Sequence, residues 1–252
     1  MIARLEPEAV ALASPMGRAS PLAKLAVALL WLGGLAVTTR IGPPLGVAVV
    51  ALAGGLIAGR LAPHSLIRGL APLWLAAVTV GTFNALFSPA NTNPLLDTLA
   101  TIGPFRLTQE AAIAGVGIAA RVVAIAAVGV VFAQTTDPTR LVDALVQQAR
   151  VPDRFGYAAL AAYQAVPLFS EDLTTLRQAR RIRGLRGGWH PRLLVGLLVL
   201  AIRHGDRMAL AMDARGFGSG PRSRYRIVRW SAIDVVLIGV AVVVIAVALR
   251  LP

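Results

Sequence analysis

Apolar residues fall into five long runs separated by short polar blocks, except that one long basic segment divides the fourth run from the fifth. The runs cover roughly residues 22–39, 43–59, 68–87, 110–133 and 231–249, and all are rich in Ala, Val, Leu and Gly. A helix that crosses a bilayer needs about 20 mostly apolar residues. Each run therefore reads as a spanning helix, the shorter ones with some tilt or local thinning of the bilayer. The first run follows cations, as a secretory leader would. Four more runs come after it and no clear small-residue cleavage site follows Thr39, so it reads as a retained helix. The expected organisation is an N-terminal bundle of four spans (residues 1–133), an intervening module (134–230) and a C-terminal spanning helix (231–252).

The intervening segment is neither linker nor low-complexity sequence, and it reads as helices. Thr135-Thr136-Asp137-Pro138 opens the first, with Asp137 suited to the N-cap and Pro138 to the first helical position. Leu141, Val142, Leu145, Val146 and Ala149 mark its apolar face, and Arg140, Asp143, Gln147 and Arg150 lie elsewhere. It is amphipathic and suits a membrane surface or a neighbouring helix. A second stretch starts near Phe155, is apolar to Phe169 and ends at Arg183-Gly184; Pro167 is expected to kink or break it. A third begins near Pro191 and ends at Arg215-Gly216. Its apolar part, Leu193 to Ile202, rises only about 15 Å and is too short to span.

Composition sharpens the picture. Of 252 residues, 56% are hydrophobic and only 15% are charged, where a soluble domain has about a quarter. That is too thin a polar shell for an ordinary soluble globular protein. There is no cysteine, which excludes disulfides, thiolate metal sites and a cysteine nucleophile. Twenty-five Lys and Arg against 12 Asp and Glu give a net charge of +13, and Lys24 is the single lysine. Such a charge suits acidic partners or anionic lipid. The cations also set an orientation. With the N-terminus inside and alternating spans, only Arg40, Arg106 and Arg250 fall outside and Arg121 falls within a span. The rest, including thirteen arginines from Arg177 to Arg229, fall inside, as the positive-inside rule requires.

Two of those arginines stand apart. Leu176-Arg177-Gln178-Ala179-Arg180-Arg181-Ile182-Arg183-Gly184 and Met208-Ala209-Leu210-Ala211-Met212-Asp213-Ala214-Arg215-Gly216 are related by an offset of 32 residues and share Ala, Arg and Gly at matching places. Each helix thus ends in a guanidinium beside a small Ala and just before a Gly suited to a left-handed cap. A lone Arg there would complement the helix dipole, worth about 0.3–1 kcal/mol. Two copies in one segment point instead to a docking device, since a guanidinium forms forked bonds to a carboxylate.

Arg183-Gly184 and Ala214-Arg215-Gly216 resemble the paired Ala-Arg-Gly signatures of the transmembrane T component of energy-coupling factor transporters, the cobalt-transport family of the ATP-binding cassette class. Arg121, Gln134-Thr135-Thr136-Asp137-Pro138, Leu141, Leu145, Val151-Pro152 and Val166-Pro167 follow the family's order upstream. The first signature carries Ile182 where Ala is usual, with Ala179 in place, and Ala161-Ala162-Tyr163-Gln164-Ala165 lacks an arginine the family tends to have before the proline. The resemblance implies an all-α polytopic membrane protein with about five transmembrane helices and a cytoplasmic module of amphipathic coupling helices. It implies a non-catalytic subunit in the plasma membrane, without cofactor or metal. Its implied partners are two ATP-binding cassette ATPase subunits, gripped by Arg183 and Arg215, a small substrate-binding membrane S component, and membrane lipids. Residues 155–169 and 193–202 would form the platform facing the S component. The cargo, a metal ion or vitamin, is chosen by another chain.

Other signals carry less. No Gly-Lys-Ser/Thr loop for nucleotide phosphates occurs. Gly115-Val116-Gly117-Ile118-Ala119-Ala120 lies inside an apolar run with no preceding strand, and Gly55–Gly59 reads as close helix packing. His64, His190 and His204 lack metal-ligand spacing. Arg121 is expected to be tied to backbone carbonyls or to a carboxylate such as Asp137 or Asp234, because a buried charge must be satisfied. Arg222, Arg224, Arg226 and Arg229 suit anionic lipid. A self-sufficient permease would need converging polar groups beyond Arg121, Thr79, Thr82 and Asn84. A nucleic-acid binder would need aromatics among the cations, where only Trp189, Phe217, Tyr225 and Trp230 are near.

Overall fold

The computed structural model describes residues 13–38, 40–93, 96–102, 105–185, 190–217, 220 and 226–250. Arg4, Thr39, Arg186, Trp189, Arg222, Arg224 and Tyr225 lie outside them. The described residues form helices α1 (Pro15–Arg18), α2 (Pro21–Val37), α3 (Gly42–Ile57), α4 (Pro63–Leu86), α5 (Gln109–Thr135), α6 (Pro138–Gln148), α7 (Asp153–Ile182), α8 (Pro191–Ala214) and α9 (Ala232–Arg250). Contacts divide the chain into two compact units, Met1–Leu141 with Arg229–Pro252, and Val142–Val228. The division falls inside α6.

In the first unit, each expected span is a helix. Only two are long and apolar enough to cross a membrane outright: α4 with the 3₁₀ turn Pro89–Thr92 behind it, and α5. The other three, α2, α3 and α9, are shorter apolar helices. Helices α2 and α3 have 17 and 16 residues, which rise about 25 Å against a hydrocarbon core of about 30 Å. The membrane character shows in what is left uncovered. Trp74, Leu75, Val78 and Phe83 on α4 and Val235, Val236 and Val243 on α9 are all exposed. Apolar patches of that extent mark a lipid or partner surface.

The helical fold carries one small addition. Between α4 and α5 lies an antiparallel hairpin of β1 (Thr98–Ile102) and β2 (Phe105–Thr108), pairing Thr98 with Thr108 and Thr101 with Arg106. Arg106 donates to Thr98 Oγ1 and to the Leu96 carbonyl. Asn91 joins the hairpin to both helices. Its Nδ2 caps the carbonyls of Ala85 and Leu86 at the end of α4, and its Oδ1 accepts the Thr108 N–H at the start of α5.

Ala and Val fill much of the core, among them Ala28 of α2, Val47, Ala48 and Ala51 of α3, Ala124, Ala127 and Val131 of α5, and Ala241 of α9, with Trp31, Leu35, Leu61, Leu66, Leu70 and Ile245 as its larger members. Small residues let backbones approach. A Cβ on Gly115 of α5 would lie 2.6 Å from the Gly81 carbonyl of α4, and one on Gly81 would lie 2.9 Å from the Gly115 carbonyl. The glycine run Gly115–Gly117 thus begins at a helix contact. Gly55 packs on Val131, as its spacing suggested.

Buried polar groups tie the helix ends together at one end of this unit. Lys24 Nζ donates to the Thr135 carbonyl at the C-terminus of α5, 2.6 Å away. Asp234, fully buried, accepts the backbone N–H groups of Ser20 (2.6 Å) and Ser231 (2.7 Å), at the starts of α2 and α9. Gln134 exchanges hydrogen bonds with Ser65, joining the end of α5 to the start of α4. Arg140 donates to the carbonyls of Gly17 and Arg18 at the end of α1. The starts of α2, α4 and α9 therefore share a level with the ends of α3 and α5, the Met16 N–H reaching the Ala58 carbonyl beyond α3. The five apolar helices alternate in direction.

In the second unit, α7 runs unbroken through Pro167, so of the expected kink or break the break does not occur. Proline removes one N–H bond and crowds the turn before it, but α7 packs along α8. Leu176 lies against Gly196, and the Phe169 ring meets His204 edge-on at 6.3 Å. These contacts make the two helices antiparallel. Asp143, placed on the polar side of α6 by the sequence pattern, is buried instead and accepts the Tyr157 hydroxyl of α7 at 3.1 Å. Ala149, assigned to the apolar face, is exposed.

Two substitutions test this packing. Gly115→Leu forces a side chain into the α4 backbone, so the yield of monodisperse protein in detergent should collapse, while Gly129→Leu, where nothing lies within 4 Å, should leave it unchanged. Asp234→Ala leaves two N–H groups without their acceptor, at about 1–3 kcal/mol each. Thermal unfolding should rank the parent above Asp234→Asn, which keeps one oxygen, and Asp234→Asn above Asp234→Ala.

Candidate coupling site

Helix α7 draws its two closing turns from Leu176-Arg177-Gln178-Ala179-Arg180-Arg181-Ile182, and Arg183 is its C-cap (φ −75°, ψ 8°). Gly184 follows at φ +74°, in the left-handed region where a side chain is strained. The Gly184 N–H donates to the Arg181 carbonyl (3.0 Å) and the Leu185 N–H to the Arg180 carbonyl (3.2 Å). Helix α8 ends the same way. Arg215 is the C-cap (φ −90°, ψ 8°) and Gly216 has φ +68°. The Gly216 N–H donates to the Asp213 carbonyl (2.8 Å) and the Phe217 N–H to the Met212 carbonyl (2.9 Å). Both are complete Schellman motifs. They match bond for bond at the 32-residue offset read from the sequence.

The backbone thus closes its own ends, and neither cap requires a guanidinium. Arg183 and Arg215 are both exposed, as is Ala214; Ala179 is half-buried and its carbonyl accepts the Arg183 N–H at 3.3 Å. Space does not restrict Gly184, since a Cβ there would meet nothing within 4 Å; its backbone angle does. Because α7 and α8 are antiparallel, the two tips lie at opposite ends of the pair, on the order of 30–40 Å apart at 1.5 Å per residue.

The tips differ in charge. The first carries Arg177, Arg180, Arg181 and Arg183 with no carboxylate, and the second carries Arg215 with Asp213. Apolar surface is exposed between them: Phe155, Tyr163 and Val166 on α7, and Leu194, Val195, Leu198, Val199 and Ile202 on α8.

Sequence reasoning missed two parts of this unit. Leu185 and Phe217, directly after the glycines, supply the outer N–H of each cap; an apolar residue at that place is the usual companion of the motif and was the readable signal. Gln147 was assigned only to a polar face, yet its amide clasps the extended segment before α9, donating to the Arg226 carbonyl (2.8 Å) and accepting the Val228 N–H (3.0 Å).

Arg121 belongs to the first unit and not to the tips. Its guanidinium donates to the carbonyl of Thr38, the C-cap of α2, and its Nε is buried without a partner. Of the ties expected for it, the backbone carbonyl is the one formed. Asp234 is engaged by Ser20 and Ser231, and Asp137 Oδ1 accepts the Thr139 N–H at the start of α6. An arginine at the carboxyl end of a helix meets the negative end of its dipole.

Residues 13–226 match the family described as cobalt transport protein, CbiQ. The energy-coupling factor transporter transmembrane protein EcfT of Heliobacterium modesticaldum is 29% identical over 240 residues, 86% of this chain and 85% of that one. The protein of the same name from Lactococcus lactis is 25% identical over 78% of each chain. A putative ABC transporter ATP-binding protein of Bifidobacterium longum is 25% identical over 86% of this chain but only 29% of its own length. With the match running from the first helix past both arginine tips, the chain belongs to the CbiQ family of cobalt transport proteins, as an energy-coupling factor T component.

Proposed function

We propose that this chain is the mechanical link of an energy-coupling factor importer. Its α7 and α8 tips dock on two ATP-binding cassette ATPase subunits, with Arg183 and Arg215 as anchors. It passes ATPase closure to a small membrane subunit that holds the vitamin or metal ion. The observation that carries the reading is the pair of matched tips. Each helix end is already closed by backbone bonds, so the exposed guanidinium is not needed as a cap. Forked bonding to a carboxylate on a partner accounts for its type and place. The Bifidobacterium relative agrees. It is named for ATP binding, whereas this chain has no phosphate-binding Gly-Lys-Ser/Thr loop, so the part of it matched here is not the part that binds ATP.

The membrane arrangement follows from the alternating helices of the first unit. On this reading α2, α3, α4, α5 and α9 all cross the bilayer, the shorter ones tilted or in thinned lipid. The end where Lys24 and Arg140 gather, with Arg60 in the loop after α3, faces the cytoplasm along with the module of residues 134–230. The hairpin and Arg106 face outward. The exposed apolar stretches of α7 and α8 are the platform for the substrate-binding subunit.

A self-sufficient permease fits less well. The cavity between α2, α3, α5 and α9, about 270 Å³, is lined by apolar side chains with Lys24 its one charged residue. Its ammonium is already held by the Thr135 carbonyl.

Arg183→Ala and Arg215→Ala should each weaken ATPase retention on the affinity-tagged chain. Removing one member of a desolvated charge pair costs about 2–5 kcal/mol. Arg→Lys should restore retention only in part, because a lysine cannot bond bidentately. Parental retention and parental ATP turnover in the double alanine variant would refute the docking role. Gly184→Ala and Gly216→Ala keep every charge but force a side chain into the left-handed region, at about 1 kcal/mol. Hydrogen exchange at the Leu185 and Phe217 amides should quicken, and retention should fall less than in the arginine variants.

A further inference from the structure

The first unit is not packed solid. About 270 Å³ lies open between α2, α3, α5 and α9. Each helix lends the space residues one turn apart, among them Lys24, Ala28 and Trp31 of α2 and Ile233, Val236 and Val240 of α9. The cavity therefore runs along the helices, rising about 10 Å from Lys24 to Trp31. Trp31 closes the far end, its Nε1 donating to the Ala241 carbonyl at 3.1 Å. Ile233, Val236 and Val240 are exposed, so the cavity opens at the surface of the unit beside α9. Apart from Lys24, every side chain on its wall is apolar. Apolar cavities stay dry and take up hydrocarbon, and until one is filled its wall lacks contacts.

The near end is charged. Lys24 is more than nine-tenths buried there, and its ammonium carries three N–H donors, of which the Thr135 carbonyl takes one. Arg140 reaches Gly17 and Arg18 at the same level, and Arg60 follows α3 there. Lys24, Arg18, Arg60 and Arg140 outnumber the carboxylates beside them, Asp137 and Asp234, and both carboxylates accept backbone N–H groups. We infer that the cavity holds one acyl chain of an anionic phospholipid from the cytoplasmic leaflet, with its phosphate at the Lys24 end. A narrow apolar slot that ends in cations matches such an amphiphile in shape and in polarity. A zwitterionic headgroup brings its own cation against Lys24 and Arg140 and fits less well. The bound chain supplies the contacts that the wall lacks between α9 and its neighbours. The inference rests on the membrane arrangement proposed above and is independent of docking at the tips.

Gly54 forms part of the wall, and a Cβ there would meet nothing within 4 Å. Gly54→Phe therefore fills the cavity without displacing a helix. Gly46→Phe, on the same helix but away from the wall and equally clear of neighbours, is the control. The tagged chain with its co-purifying partners is placed in phosphatidylcholine vesicles containing a little phosphatidylglycerol that carries a diazirine midway along one acyl chain. After irradiation, mass spectrometry maps the adducts. In the parent and in Gly46→Phe, adducts are expected on Trp31 and Val131 inside the cavity and on Trp74 of the exposed α4 face. Gly54→Phe should lose the first two and keep the third. Unlabelled phosphatidylglycerol should compete on the order of tenfold better than phosphatidylcholine, and Lys24→Met should reduce that preference about fivefold. Cavity adducts that persist in Gly54→Phe would overturn the inference, as would equal competition by phosphatidylcholine or by a free fatty acid. Parental adducts on Trp74 with none on Trp31 or Val131 would also overturn it, while leaving the spanning arrangement intact. No adduct even on Trp74 would mean that α4 does not face lipid, and the arrangement would fall together with the inference.

Discussion

A helix leaves its first N–H groups and its last carbonyls without partners, and in apolar surroundings each such group is costly. That constraint organises this molecule. In the first unit, four charged side chains are committed to helix ends. Lys24 meets the end of α5, Arg121 the end of α2, Arg140 the end of α1, and Asp234 the starts of α2 and α9. Gln134 with Ser65 and Asn91 with Thr108 do the same with neutral groups. The bundle can then pack through apolar residues elsewhere, and Gly81 with Gly115 brings two backbones together.

At the ends of α7 and α8 the same constraint is met differently. Glycine in the left-handed region lets the backbone satisfy itself, and the arginine one residue earlier is not consumed by the cap. The contrast lies within the chain. After α3 and α6 the left-handed residue is an arginine, Arg60 at φ 50° and Arg150 at φ 57°, and the N–H after it reaches one residue further back than at the tips, from Leu61 to Gly55 and from Val151 to Leu145. Among the described residues, only at the two tips does a glycine take the left-handed position and place an arginine at the cap itself.

Much of this was legible because it is local. Asp137-Pro138 specifies the start of α6, and the Thr139 N–H on Asp137 is the bond that such a pair makes. Each apolar run became a helix ending within a few residues of the expected place. What was not legible depended on contacts distant in sequence. Lys24 counts in the sequence as one more cation near the membrane, and only the position of Thr135, over a hundred residues away, makes it a buried fastener. For Arg121 the sequence left backbone carbonyls and a carboxylate both open, and the Thr38 carbonyl at the end of α2 is the tie formed. Pro167 should weaken a helix standing alone; α7 has a partner along its length. The hairpin of residues 98–108 is too short for alternation to register, and its strands are pinned by Asn91 and Arg106 rather than by an apolar face.

The antiparallel pairing of α7 and α8 gives the twin tips mechanical meaning. Parallel helices would bring both arginines to one place, where one body could hold them. Antiparallel helices put them at opposite ends, so that any body gripping one tip cannot also cover the other at such a distance. Two bodies that hold the tips and then approach each other must turn α7 against α8 about their contact, where Leu176 meets Gly196 and Phe169 meets His204. At that pivot a Cβ built on Gly196 would meet Leu176 at 3.4 Å, an ordinary contact. The residues that would swing are the exposed apolar ones on either side, and those are the residues a membrane partner could feel. An arm that transmits such a turn must not lose it in its own joints. Helices unbroken from Asp153 to Ile182 and from Pro191 to Ala214, each closed by a backbone cap, meet that requirement.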